Sequence, residues 1–284
     1  MAEAEVRVLE RRDVTWAIRL TSLENWGYTR ADFERLLALE PEGCFAARIG
    51  GKRVGITCST SYEKVAFIGA VIVDPSVRGK HVGEAMMNRT LAYLDGRGVE
   101  TVRLNAYLNV VPFYERLGFR AEYENIRYHG KVAASGAIGG VRPAAEGDLS
   151  AIAHFDSFYF GAPRERLLAR LRREFPQNFL VVMDEGGVRG YIVANVDGGS
   201  AEIGPWVVNP TMPEVAGDLL HALLDRLGPR EVGLTAPTPN EHHARLAEEL
   251  RLETAFRTLR MYRGRDGYRG FPQGIFALAG LEKG

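Results

Sequence analysis

Val71-Ile-Val-Asp-Pro-Ser-Val-Arg-Gly-Lys-His-Val-Gly83 joins an apolar strand to a helix through a turn, and the rest of the chain is placed outward from that junction. Pro75 fixes its own φ and carries no N–H, so it ends the strand that begins near Ala66. From Gly83 onward Met87, Leu91 and Leu94 fall on one helical face, which predicts a helix from Gly83 to Leu94. The first amides of such a helix have no acceptor one turn back. They point at the Arg78–Gly83 loop, where Gly79 and Gly83 permit close approach and Arg78 and Lys80 add charge, so the junction reads as a candidate diphosphate cradle. The same residues also suit a plain strand-to-helix turn with solvated basic side chains. Two nucleotide loops are excluded by spacing: neither Gly-x-x-x-x-Gly-Lys-Ser/Thr nor a Gly-x-Gly-x-x-Gly fingerprint is present.

A second stretch, Leu104-Asn-Ala-Tyr-Leu-Asn-Val-Val-Pro-Phe-Tyr-Glu-Arg-Leu-Gly-Phe119, follows at the end of an expected strand, Thr101 to Ala106. Pro112 suits the first turn of a short helix, Val111 to Leu117, and Gly118 ends it. The spacing turns Phe113 and Leu117 toward the core and Tyr114 to another side. A tyrosine in that position serves packing as readily as chemistry.

The chain has 284 residues, which suits two domains of ordinary size. Thirty-six Lys and Arg balance thirty-six Asp and Glu, so charge gives no reason to expect nucleic acid or an anionic membrane as partner. A composition 46% hydrophobic and 25% charged is that of a globular protein with true cores. No apolar run approaches the roughly 20 residues of a membrane span, and the first residues do not resemble a secretory signal, which places the protein in the cytoplasm. Cys44 and Cys58 read as small buried apolar residues, and neither they nor His242 and His243 have partners at metal-ligand spacing, so no metal is expected.

Residues 132–140, rich in Ala, Gly and Ser, read as a linker between domains at 1–131 and 141–284. Val141-Arg-Pro-Ala-Ala-Glu-Gly-Asp148 echoes Val6-Arg-Val-Leu-Glu-Arg-Arg-Asp13, a weak internal repeat. Strand, glycine turn and strand recur at Cys44 to Thr57 and at Phe179 to Val193. Strand, helix, strand, helix then follow in the second half at Ala201 to Val208, Val215 to Leu227, Val232 to Thr235 and Glu241 to Leu250. The fold class is therefore mixed α/β, as two tandem copies of one unit with a mixed sheet flanked by helices. The arginines of Arg164 to Arg173 alternate with core leucines and read as a solvated amphipathic helix.

Taken together, the two motifs resemble those of the Gcn5-related N-acetyltransferase (GNAT) superfamily, whose coenzyme loop is Arg/Gln-x-x-Gly-x-Gly/Ala. Arg78-Gly-Lys-His-Val-Gly83 matches at both ends and carries His81 where the loop has its middle glycine, while Tyr114-Glu-Arg-Leu-Gly-Phe119 reproduces the later motif. The chain is similar in particular to a two-domain subgroup with a degenerate second copy, through Asp156, Phe160-Gly161, Arg164, Ile203-Gly-Pro205, Arg260-Met261 and Gly274-Ile-Phe-Ala277. The region after the strand Ala201 to Val208 has no such loop, so the second copy is not expected to bind coenzyme A in the family's manner.

The resemblance implies acetyl-CoA as cosubstrate and an acyltransferase that moves an acetyl group to a primary amine by direct attack. It assigns coenzyme contacts to Val71, Ile72, Val73, Arg78, Gly79, Lys80, His81, Val82, Gly83, Glu84, Asn105, Asn109, Phe113 and Arg116, with Tyr114 as general acid toward the leaving thiolate. An alkyl amine with pKa about 10.4 is neutral in roughly one molecule in 2,500 at pH 7, a deficit of about 4.6 kcal/mol that a base must meet. Glu63 and Glu24 flank the family's acceptor groove and are candidates for that base; a water chain is the alternative. Trp26 is placed to wall the acceptor pocket, and Asp156 and Arg260 either line it or form a structural pair. The expected partner is a small-molecule amine, with the protein a monomer or homodimer. The main alternative is a non-catalytic acyl-CoA or small-molecule sensor that keeps the fold; a third class is an interaction module that binds neither.

Overall fold

The computed structural model describes residues 4–134 and 139–284. Its contacts divide the chain into two compact units, residues 1–104 with Lys283, and residues 105–282 with Gly284. The first contains β1 (Glu5–Val8), α1 (Val14–Ser22), α2 (Arg30–Leu39), β2 (Cys44–Ile49), β3 (Lys52–Tyr62), β4 (Val65–Val73), α3 (Val82–Gly96) and most of β5 (Thr101–Tyr107). Its strands run in the order β1-β2-β3-β4-β5, antiparallel except for the parallel pair β4–β5. Successive side chains on a strand face opposite ways. Cys44, Ala46, Ile56 and Ile72 accordingly pack with Val14, Leu20, Phe33 and Leu36 of α1 and α2, whereas Ala47 and Val54 pack with Val82 and Met86 of α3. Helices therefore cover both faces, which is why the strands read as unbroken apolar runs. Cys44 and Cys58 are buried, unbridged and opposite each other across β2 and β3.

The second unit holds α4 (Val111–Arg116), β6 (Arg120–Val132), β7 (Arg142–Pro143), α5 (Leu149–Phe160), α6 (Glu165–Glu174), β8 (Phe179–Asp184), β9 (Gly187–Asp197), β10 (Ser200–Val208), α7 (Pro213–Leu227), β11 (Arg230–Pro237), α8 (His243–Glu249), β12 (Glu253–Gly264) and β13 (Ile275–Ala277). Its strand order is β12-β6-β11-β10-β9-β8-β7, with β13 beside β10. The two units thus share one mixed α/β plan, as the repeated pattern predicts. The cut expected at 131 assigns β6 to the first half, but its residues Asn125–Val132 pair along β11 and its residues Arg120–His129 along β12. The boundary between compact units consequently falls after Leu104. Of the expected linker, Val132 closes β6, and 135–138 lie outside the described residues. Among the described residues no helix is long and apolar enough to cross a membrane.

The faint repeat at the head of each half has a geometric basis. Asp13 accepts from the Glu10 amide at 3.1 Å and from the Arg7 guanidinium at 2.8 and 3.0 Å. Asp148 likewise accepts from the Ala145 amide at 2.7 Å and from Arg142 at 2.6 and 3.0 Å. In both copies an arginine on the opening strand clamps the carboxylate that starts the first helix. Arg164 departs from the solvated helix expected for its segment. It is 1% exposed, pairs with Asp156 at 2.7 and 3.0 Å and lies over the Phe160 ring at 3.8 Å, while the helix proper begins one residue later.

Burial works against the charge on Asp13, but the Glu10 amide, Arg7 and Arg53 outweigh it and hold the carboxyl below its ordinary range. Its contribution is thus complete above the unfolded value near 3.9 and disappears as pH falls through the lower folded value. Asp13→Asn is expected to cost about 1–3 kcal/mol at neutral pH and to flatten the acid side of the stability curve, as read by urea melts from pH 7 downward.

Candidate functional site

The site is built at the end of β4. Cys58 pairs with Gly69 and Ile56 with Ile72, so Ala70 and Val71 together oppose Thr57 alone. This is a β-bulge, and Ala70 takes a left-handed φ of 50° to make it. The β4–β5 ladder stops just before it, at Ile68 opposite Leu104. Beyond that point Ile72 and Val73 pair with Ile56 and Gly55 of β3, and among the described residues no ladder covers the other main-chain edge of residues 71–73. No reading of the sequence above found the bulge. Its signal was Gly69-Ala70 inside an otherwise large apolar run, since glycine within a strand marks a bulge or a close backbone approach.

After Val73 the carboxylate of Asp74 accepts from the Ser76 amide at 2.9 Å and hydroxyl at 2.7 Å, and these bonds hold its pKa below the ordinary value. The chain turns through Pro75–Val77 and reaches α3 by way of Gly79, φ 79°, and His81, φ 59°. The first helical bond runs from Ala85 N to His81 O. Main-chain N–H groups of residues 79–84 find no acceptor among the described residues. A run of unpaired amides at the positive end of a fifteen-residue helix suits an anion in both its hydrogen bonds and its field. A Cβ on Gly79 would meet nothing within 4 Å, so the loop lies open on that side.

His81 adopts the left-handed conformation that a glycine takes at no steric cost. Its ring stands in solvent, with Nδ1 2.9 Å from the Glu84 carboxylate. The imidazole is thus turned to the first turn of α3, and the Cβ expresses itself as backbone strain of about 1–2 kcal/mol. Arg78 donates Nε to Val73 O at 3.0 Å, and its guanidinium is hydrogen-bonded to Glu24. The carboxylate of Glu24 is therefore engaged by a cation next to the cradle. Lys80 is exposed beside it.

The remaining expected residues fall in several places. Trp26 is half-buried, packs edge-on to Tyr28 at 6.3 Å and lies against the core cluster that also contains Ala70 and Ile72. Tyr28 and its neighbour Phe33, 5.4 Å away, were not singled out by sequence; only their aromatic spacing pointed to them. Glu63 is exposed in the β3–β4 turn, at the opposite end of β4 from the cradle. Five strand steps separate Val65 from the bulge at Ala70, roughly 17 Å, so Glu63 stands well away from it.

In the second unit Tyr114 is 8% exposed, set edge-on to Phe113 at 5.0 Å and Phe119 at 6.0 Å. The expected orientation of this helix is reversed: Tyr114 faces inward and Phe113 and Leu117 are half-buried, because α4 is a single short turn-and-a-half whose facing is set by what it packs on. Burial pushes the phenol well above its ordinary pKa. Its hydroxyl has no hydrogen bond among the described residues.

The Asn105 side chain is taken up internally, donating to Leu281 O at 2.7 Å and accepting from Asn125 at 2.7 Å. Asn109, just before α4, and Arg116, its last residue, are exposed. Asp156 is fully buried between Arg164 and the Tyr191 hydroxyl, 2.5 Å away, and Arg260 between Glu122 at 2.8 Å and Tyr123 at 2.5 Å. Both are structural pairs within the second unit.

Residues 12–119 match the family model described as acetyltransferase (GNAT) family, and residues 152–277 match a second described as acetyltransferase (GNAT) domain. An uncharacterised N-acetyltransferase of Methanocaldococcus jannaschii is 31% identical over 102 residues, covering 32% of this chain and 45% of the relative. The chain thus spans less than half the length of that relative. An acetyltransferase-like protein of Pyrococcus horikoshii superposes with a TM-score of 0.81 at 23% identity over 99% of this chain and 96% of the other. A tandem GNAT protein from the clavulanic acid biosynthesis pathway superposes with a TM-score of 0.61 at 14% identity, over 92% and 98%. At these identities the superpositions speak for the fold.

His81→Gly is expected to raise the melting temperature of the first unit, since it relieves a left-handed φ worth about 1–2 kcal/mol; an unchanged or lower value counts against strain at this position. Tyr114→Phe is expected to leave the phenolate absorbance rise below about pH 11 unaltered, because the buried hydroxyl keeps its proton there.

Proposed function

The chain belongs to the GNAT acetyltransferase family, and on that footing we propose that it transfers an acetyl group from acetyl-CoA to the primary amine of a small molecule, using the first unit to hold the coenzyme. The observation that carries this reading is the pairing of unsatisfied amides at residues 79–84 with a strand edge that no second strand covers from Val71 to Val73. The first amides of any α-helix lack an intrahelical acceptor, and here the loop before α3 adds those of residues 79–81. A diphosphate accepts from the amides, and an amide-bearing arm is matched by the strand edge. Arg78 and Lys80 supply charge beside the amides.

The acetyl thioester gives the amine an electrophile; this chain's residues do the rest. An N–H of the bulged edge near Val71–Val73 donates to the carbonyl oxygen as charge develops there, the kind of donor whose removal costs about 10²-fold or more. Trp26 and Tyr28, packed against the cluster that holds Ala70 and Ile72, offer an aromatic wall suited to the carbon skeleton of the acceptor. With Glu24 engaged by Arg78 and Glu63 far along the strand, the ammonium proton leaves through water. Tyr114 donates its phenolic proton toward the sulfur. A thiol with pKa about 8.5 is a stronger acid than a phenol near 10, and burial widens that gap, so the phenol stabilises the thiolate chiefly by donating a hydrogen bond.

Purified protein given acetyl-CoA and a panel of small amines is expected to release thiol with at least one of them. Tyr114→Phe is expected to lower kcat by about 10²-fold with little change in the KM for acetyl-CoA, and Arg78→Ala to raise that KM about 10-fold. Coenzyme binding by calorimetry without turnover on any amine would instead support a sensor.

A further inference from the structure

The second unit repeats the bulge and then fills it. Ala194 pairs with Ile203 and Ile192 with Trp206, so Gly204 and Pro205 together oppose Val193 alone, as Ala70 and Val71 oppose Thr57. The parallel ladder β10–β11 stops just before this point, at Ile203 opposite Leu234, as β4–β5 stops at Ile68. In the first unit the strand edge beyond the bulge has no ladder. In the second it carries β13: Trp206 pairs with Ala277 and Val207 with Ile275. Leu278 N donates to Thr235 O of β11 at 2.9 Å, and the buried Asn240 donates to Ile275 O at 3.0 Å. Phe276 lies against Trp206, with ring centroids 5.0 Å apart.

The turn that follows β10 is closed in the same sense. Asn209 N donates to Arg189 O, Thr211 N to the Asn209 side chain, Met212 N to Asn209 O and Val215 N to Met212 O. Pro210 and Pro213 have no N–H to offer. No run of free amides like that at residues 79–84 opens α7.

We propose that residues 275–278 are a built-in occupant of the second unit's strand groove, standing where the first unit presents its bare β4 edge, so that the second unit cannot admit a thioester arm and the chain has a single coenzyme site. The proposal rests on the coenzyme reading of the first unit only for its last clause; the occupancy itself stands on the main-chain bonds. A parallel ladder interrupted by a bulge leaves N–H and C=O groups that must find partners or water. The first unit leaves them for a ligand. The second satisfies them with its own chain by strand addition, a mode otherwise used to capture peptides. Gly204 records the closeness of the fit: its φ is 146°, and a Cβ there would lie 1.9 Å from Leu278 O.

Amide hydrogen exchange tests this on the intact protein, first without and then with saturating coenzyme A. In the free protein, residues 275–278 are expected to exchange at least about 10²-fold more slowly than unstructured chain, in step with the core of β10; exchange at the unprotected rate would overturn the proposal. With coenzyme A, slowing is expected at residues 71–84 and no change at 203–208 or 275–278. Faster exchange at 275–278, or slowing at 203–208, would show coenzyme entering the second groove and would equally overturn it. Absence of slowing at 71–84 would defeat the coenzyme reading of the first unit and leave the free-state measurement to decide occupancy. Gly204→Val is expected to speed exchange at 275–278 by 10-fold or more; unchanged protection in a folded variant would refute a fitted strand. Should that variant fail to fold, the wild-type measurement decides.

Discussion

Two residues of β4 set against one of β3 end the β4–β5 ladder at Ile68, and the rest of the site follows from that interruption. A strand that kept its register would have spent the main-chain groups of Val71–Val73 on a neighbour. The bulge withholds them. It also sits next to the turn that delivers residues 79–84 to the start of α3 with their amides unspent. Hydrogen-bonding capacity held back at two adjacent places is costly to a fold unless a ligand or water repays it. Function here is written in backbone groups left unpaired, more than in reactive side chains.

The two halves show what one architecture does with the same interruption. The opening clamps, Arg7 on Asp13 and Arg142 on Asp148, are alike in both. So are the bulges and the point at which each parallel pair stops. What differs is the resolution: the first edge stays bare, while Ile275–Ala277 completes the second. The buried Asp156–Arg164–Tyr191 cluster belongs to this second, closed unit, and its groups serve one another. Burial of such a cluster is sustained only because each charged group meets several partners.

Side-chain chemistry at the proposed site is correspondingly spare. Glu24 is engaged by Arg78, Glu63 stands at the wrong end of its strand, and Asn105 is consumed by Leu281 O and Asn125. Tyr114 keeps a polar hydroxyl in an apolar setting that disfavours its ionised form. Each of these residues has a motif position that sequence could find, yet its use is fixed by neighbours distant in the chain.

By itself the sequence determined the tandem α/β plan, the boundaries of most strands and helices, and the loop from Arg78 to Gly83, because apolar periodicity, proline and glycine act locally on the backbone. The missing loop after Val208 led to the expectation that the second copy does not bind coenzyme A in the family's manner. Tertiary structure alone decided that β6 belongs to the second unit's sheet, that Arg164 is buried, that Tyr114 faces inward, and that β13 fills one groove while the other stays open. Those outcomes depend on which unpaired main-chain and charged groups meet across long separations, and no local pattern encodes such meetings.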